Sequence, residues 1–186
     1  VVAGIPAAGQ AACGNIGTPV SAAAMESPRP EWLAVELSSY QLHDMSALKP
    51  VVGILTNLSA DHLDRYPAIE DYYADKARFF GSADQESIWV TNLDDPDSRD
   101  MRSGVPGRHL SFTIANGIRA DAWFDRIGDA LMLGDYVLLE RSRLQLPGDH
   151  NVANALAAAL AVRVTGVSLE VLAGALASFA PMEHRL

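Results

Sequence analysis

Short apolar runs alternate with helical periodicities through the first half of the chain. Gln10–Cys13, Trp32–Leu37, Val51–Asn57 and Ser87–Asn92 read as strands with helical stretches between them. That alternation predicts βαβ units and an α/β fold built on a mainly parallel, doubly wound sheet. Trp32–Leu37 and Val51–Asn57 are almost continuously apolar, the pattern of strands covered on both faces. Beyond Pro106 the spacing shortens. His109–Thr113, Ala122–Phe124, Ala130–Leu133 and Tyr136–Leu146 read as short strands, with Gly128-Asp129 and Gly134-Asp135 as turn signals, and this region predicts an antiparallel extension of the sheet. Helices are predicted from about Ala68 to Gly81, from about Asp149 to Val164, and from about Leu169 to Phe179.

Composition narrows the function classes. At 186 residues and 49% hydrophobic content, the chain has the means to bury one sizeable core. With 23 Asp+Glu against 14 Lys+Arg, the formal charge of -9 repels a polyanion, so no nucleic-acid partner is expected. A small anion stays compatible with that charge, because local backbone N–H groups or a metal override it. Cys13 is the only cysteine, which excludes a disulfide framework and a cysteine-based zinc site and suits a reducing cytoplasm. The Ala-rich stretch Val152 to Val164 is interrupted by Asn154 and Arg163 and is too short to span a bilayer, so no membrane partner is expected. The chain opens Val1-Val2-Ala3 with no basic signal region and reads as a piece of something longer.

Three features carry candidate chemistry. Glu36 closes an apolar strand, at the carboxyl end where ligands of open α/β sheets bind; the same position also suits a turn cap or an arginine partner. Asp61-His62 follows a second strand, where a carboxylate and an imidazole serve equally for metal ligation or for loop hydrogen bonding. Lys76 shares a helical stripe with Ile69, Tyr73 and Phe80 and is one of only two lysines, the other being Lys49. The stripe predicts an ammonium facing the core, where burial favours the neutral amine; a snorkelling lysine is the alternative. Neither lysine follows a glycine, so the chain has no Walker A loop of its own.

Read together, these segments resemble a known family. Glu36-Leu37-Ser38-Ser39-Tyr40-Gln41-Leu42, Thr56-Asn57-Leu58 leading to Asp61-His62-Leu63-Asp64-Arg65-Tyr66, and Tyr73-Ala74-Asp75-Lys76 resemble the central domain of the Mur ligases. Cys13-Gly14-Asn15-Ile16-Gly17, Gly148-Asp149-His150-Asn151-Val152-Ala153-Asn154 and His184-Arg185-Leu186 are similar to further family segments, in order and at comparable spacing. The Glu-Leu-Ser-Ser-Tyr-Gln-Leu string is most similar to the branch that adds D-glutamate to UDP-N-acetylmuramoyl-L-alanine.

The resemblance implies an ATP-dependent ligase of peptidoglycan synthesis, acting through an acyl phosphate in the cytoplasm, with ATP, UDP-N-acetylmuramoyl-L-alanine and D-glutamate as partners. It implies two magnesium ions, with Glu36 as ligand of one and His62 and a carbamylated Lys76 at the other, so that His62 and Lys76 are also the catalytic candidates. Asn15, Ser38, Gln41 and His62 match substrate-side positions, and Asn151, Asn154 and Arg185 match nucleotide-side positions. Turn formation at Asn15, helix capping at Ser38 and helix starts at Asn151 and Asn154 are the structural alternatives. Residues 1–182 then represent part of the central ATP-binding domain and 183–186 the stub of a further one, with no turnover expected from the piece alone. Another Mur or folylpolyglutamate-synthase-like ligase, or a non-catalytic binding module of the same fold, is the competing expectation.

Overall fold

The computed structural model describes residues 10–45, 47–59 and 66–180. Parallel strands β1 (Gln10–Gly14) and β2 (Trp32–Glu36) pair in register from Gln10 opposite Trp32 to Gly14 opposite Glu36, with α1 (Val20–Ala24) between them. After α2 (Ser39–Asp44) comes a second, six-stranded sheet in simple sequence order: β3 (Val52–Leu55), β4 (Ile88–Asn92), β5 (Arg108–Thr113), β6 (Ala122–Asp125), β7 (Ala130–Leu133) and β8 (Tyr136–Glu140). Helix α3 (Ile69–Ala77) joins β3 to β4, α4 (Pro96–Met101) joins β4 to β5, and α5 (Asp149–Arg163) and α6 (Leu169–Ser178) follow β8.

The predicted α/β class and mostly parallel sheet are present, with three corrections. Among the described residues β2 and β3 belong to separate sheets, and the exposure of Trp32 and Val35 on one and of Val51 and Ile54 at the other departs from strands covered on both faces. The antiparallel extension starts later than predicted: β5 and β6 are parallel, and only β6–β7 and β7–β8 run antiparallel. Strand β8 stops at Glu140, because Arg141–Arg143 turns into a 3-10 helix whose Arg141 guanidinium donates to the carbonyls of Leu144 and Leu146. Both Gly-Asp signals do connect hairpin strands, Gly134 with the positive φ of 56° such a tight turn needs.

Helix α5 packs across β3 to β7, and its alanines explain how one helix reaches so many strands. Ala155, Ala157, Ala159 and Ala161 are buried beside Leu156, Leu160 and Val162, so short side chains bring the helix axis close while the larger ones fill gaps. Phe112, Leu131 and Leu139 are among the fully buried side chains facing this layer.

A separate aromatic cluster fixes α3. Trp89 of β4 is 1% exposed and lies against Gly53 of β3, and Phe79 and Phe80 meet its ring edge-on at centroid distances of 5.4 and 4.7 Å. The indole N–H is satisfied by the carbonyl of Pro106 at 2.9 Å. The 3-10 turn Arg78–Phe80 that ends α3 is thereby anchored to the sheet.

Candidate functional site

Glu36 and Asn15 meet where β1 and β2 end. Asn15 N–H donates to the Glu36 carbonyl at 2.8 Å, and its side-chain Nδ2 donates to Glu36 Oε1 at 3.2 Å. Gly14 makes this approach feasible: its φ is +105°, and a Cβ there would stand 2.2 Å from the Glu36 carbonyl oxygen. The Glu36 carboxylate is exposed, with Oε2 making no hydrogen bond among the described residues. A hard cation suits that arrangement, since magnesium typically takes one or two carboxylates and completes its shell with water and phosphate oxygens. No group of three or more His, Cys, Asp or Glu side chains is arranged around a common point among the described residues.

Two residues further on, Ser38 caps α2. Its Oγ accepts from Gln41 N–H at 3.3 Å, while Gln41 Oε1 accepts from the Ser38 N–H at 2.9 Å, a reciprocal capping box. Two of the candidate substrate-side residues are therefore engaged with one another, and both point to the start of a six-residue helix. The capping alternative for Ser38 is realised, and a ligand oxygen that takes the Ser38 hydroxyl proton competes with the bond to Gln41 Oε1, whereas Gln41 Nε2 makes no hydrogen bond among the described residues.

Lys76 lies on α3, partly rather than fully buried. Its Nζ is 5.6 Å from the centroid of the Tyr72 ring, and the buried residues of α3 are Tyr72 and Asp75. The stripe assumed α-helical spacing to Phe80, whereas residues 78–80 form a 3-10 turn.

Asp75 is the residue that periodicity missed. Its Oδ1 lies 2.7 Å from His43 Nδ1 and 3.2 Å from Arg78 Nε, and its Oδ2 accepts from Tyr66 Oη at 3.2 Å. Burial pushes its carboxyl pKa up, but the hydrogen bonds from His43 and Tyr66 and the charge of Arg78 outweigh that and hold it below the usual carboxylate range. A buried aspartate needs such donors, and the signal available in the sequence was only an acid one turn beyond a tyrosine pair.

The carboxyl edge of the larger sheet is braced by two more acids that the sequence reading passed over. Asp95 Oδ2 accepts from Leu58 N–H at 2.6 Å and from Ser98 Oγ, and Asp94 accepts from Ile114 N–H at 2.7 Å and from Thr113 Oγ1. Asn92 Nδ2 donates to the Thr56 carbonyl at 2.9 Å, joining the ends of β3 and β4. These bonds hold the segments after β3, β4 and β5 in fixed relation.

Helix α5 starts at that same edge. Arg126, just past β6, donates to the Ile114 carbonyl after β5 at 3.1 Å and pairs with Asp149 in the first turn of α5 at 2.8 Å. Asn151 and Asn154 sit in the first two turns, Asn154 exposed and Asn151 donating through Nδ2 to the Pro147 carbonyl at 2.7 Å. Asn151 thus has the helix-start role. Asp61, His62 and Arg185 lie outside the described residues. Two cavities, of about 390 and 260 Å³, lie elsewhere, and neither is lined by a residue predicted for the site.

Comparison with known proteins adds sequence and fold relationships. A family profile described as the Mur ligase middle domain matches residues 3–162. The UDP-N-acetylmuramoylalanine-D-glutamate ligase of Thiobacillus denitrificans is 39% identical over 178 residues, covering 93% of this chain and 36% of that protein. The enzyme of the same name from Pelotomaculum thermopropionicum is 34% identical over 175 residues, covering 93% of this chain and 38% of that protein. The chain spans little more than a third of these curated relatives. Among solved structures, a UDP-N-acetylmuramoyl-L-alanyl-D-glutamate-2,6-diaminopimelate ligase superposes with a TM-score of 0.69 at 23% identity, covering 86% of this chain and 34% of that one. A pseudomurein peptide ligase type C from Methanothermus fervidus gives 0.66 at 15% identity, covering 97% and 51%. At those identities the structural likeness concerns the fold.

Proposed function

The chain belongs to the Mur ligase family, through its middle domain, and from that premise we propose that the parent protein joins D-glutamate to UDP-N-acetylmuramoyl-L-alanine in peptidoglycan synthesis, using ATP, in the cytoplasm. The observation that carries the choice of amino acid is the run Glu36 to Leu42. It stands at the carboxyl end of β2 with Asn15 on the Glu36 carboxylate, in a chain 39% identical over 178 residues to a D-glutamate ligase.

In this reading the γ-phosphoryl of ATP passes to the alanyl carboxylate and ADP leaves. The amine of D-glutamate then attacks the acyl carbon, the acyl C–O bond breaks with its electron pair leaving on phosphate, and the nitrogen gives up a proton as the amide forms. Magnesium would supply charge neutralisation at the phosphates, with Glu36 holding one ion and His62 and Lys76 the other. Lys76 would do so after its neutral amine adds carbon dioxide and releases a proton, replacing a cation by a carbamate anion. Asn15 orients the Glu36 carboxylate, and Ser38 and Gln41 present hydroxyl and amide groups to the muramoyl substrate. Asn151, Asn154 and Arg185 attend the nucleotide. Residues 1–186 alone lack a Walker A loop and are expected to bind magnesium-ATP weakly without turning over.

The test uses the full-length protein with ATP, magnesium and UDP-N-acetylmuramoyl-L-alanine, offering D-glutamate, L-alanine, L-lysine and meso-diaminopimelate separately. Phosphate release and a product of the correct mass are expected with D-glutamate alone. Acceptance of one of the other amino acids in its place would overturn the assignment. Lys76→Ala is expected to abolish turnover with partial recovery on adding a short carboxylate; an unaffected variant would remove the carbamate role.

A further inference from the structure

Two helices that carry candidate site residues meet Tyr66 at one buried carboxylate. Helix α2 bears Gln41 and is capped by Ser38, and α3 bears Lys76. Asp75, immediately before Lys76, is bonded from all three directions: by His43 Nδ1 of α2 at 2.7 Å, by Tyr66 Oη at 3.2 Å, and by Arg78 Nε at the end of α3 at 3.2 Å. Ring contacts reinforce the junction. Tyr66 stacks on Tyr40 of α2 at 5.7 Å with planes 7° apart and meets Tyr72 of α3 edge-on at 5.5 Å. Tyr72 is also the ring beneath Lys76 Nζ.

We propose that His43 and Asp75 form a positioning clasp that fixes α2 against α3 and thereby sets where Ser38 and Gln41 stand relative to Lys76. Two physical reasons favour this over incidental contact. A six-residue helix does not hold its own shape in water, so α2 depends on tertiary tethers for its orientation. The His43 side chain is 59% exposed, so it fills no core space, and among the described residues its side-chain hydrogen bond to a buried acid is what it contributes. The clasp concerns positioning for the ligase reaction proposed above and rests on that reading; its structural half does not.

The geometry dictates the test, because the bond uses Nδ1 and not Nε2. Asparagine places an amide N–H near the Nδ1 position, glutamine near the Nε2 position. In the full-length protein, His43→Gln and His43→Ala are expected to lower kcat about tenfold or more, with the KM for amino acid little changed, while His43→Asn stays within about twofold of the parent. Amide hydrogen exchange, which needs no activity, is expected to quicken in α2 of the Gln and Ala variants and to stay at parental rates in α6 and in the Asn variant. Equal kcat in all three variants, or a quickening spread evenly over the molecule, would overturn the clasp. A parent that ligates none of the offered amino acids would overturn the proposed function, and the exchange pattern would then decide the tether by itself.

Discussion

Trp89 lies so close to Gly53 that a Cβ at position 53 would stand 2.3 Å from the indole Cζ3. The missing side chain on β3 is what lets a fully buried ring bridge β3, β4 and the end of α3. Gly53→Ala is therefore expected to destabilise the protein by about 1–3 kcal/mol through overpacking. Urea denaturation followed by tryptophan fluorescence checks this, and a variant as stable as the parent would show that the ring has room to move.

Ser38 is a cap before it is anything else. Ser38→Ala should cost about 1 kcal/mol of stability, and Ser38→Asp should recover most of it by accepting the same Gln41 N–H. If Ser38 also contacts substrate, the aspartate variant will be stable yet show a raised KM for the muramoyl substrate. Thermal denaturation alongside steady-state kinetics separates the two roles.

Asn15 and Glu36 should behave unequally. Glu36→Gln removes a candidate metal ligand, whereas Asn15→Ala removes only the group that orients it, for which about a 10- to 100-fold loss of apparent magnesium affinity is expected. Titrating magnesium against ligase rate in the full-length protein measures both. An Asn15→Ala curve superimposable on the parent would make the 3.2 Å contact irrelevant to metal binding.

The Lys49–Asp84 pair links α3's exit to the segment before β3 and gives a pH signature. The bond from Lys49 Nζ, helped by donors from Ser87 and the Glu86 backbone, holds the Asp84 carboxyl below its ordinary value, and the same bond raises the Lys49 pKa. Asp84 has a lowered folded value, so its contribution is present above the unfolded carboxylate range and lost as pH falls through the folded one. Lys49, raised, contributes below the unfolded lysine range and loses that contribution as pH rises through its folded value. Lys49→Met is accordingly expected to lower the thermal midpoint slightly at neutral pH, with the gap to the parent closing in strong acid. A gap independent of pH would contradict the pairing.

Local periodicity made the strands, the late helices and both Gly-Asp turns legible, because each is decided by neighbours within a few residues. Partners were not legible. The Gly128-Asp129 and Gly134-Asp135 signals favoured antiparallel neighbours, but they say nothing about what lies on the other side of β6. β5 and β6 pair in parallel through Phe112 with Ala122 and Thr113 with Trp123, and Asp121 accepts the Ser111 N–H beside them. Of the site, Glu36 at a strand end was readable from the apolar run before it. Asp75 was not, because what stabilises it is His43, 32 residues away on another helix.

The exposed apolar margins of β2 and β3 have a consequence for behaviour in solution. Each strand has a bonded neighbour on one side only among the described residues, and Trp32, Val35, Val51 and Ile54 stand 38 to 63% exposed along them. Unpaired backbone beside apolar side chains is a template for strand addition. The 186-residue chain by itself should be colloidally stable only while its charge of -9 keeps copies apart, and added salt should drive it to scatter light.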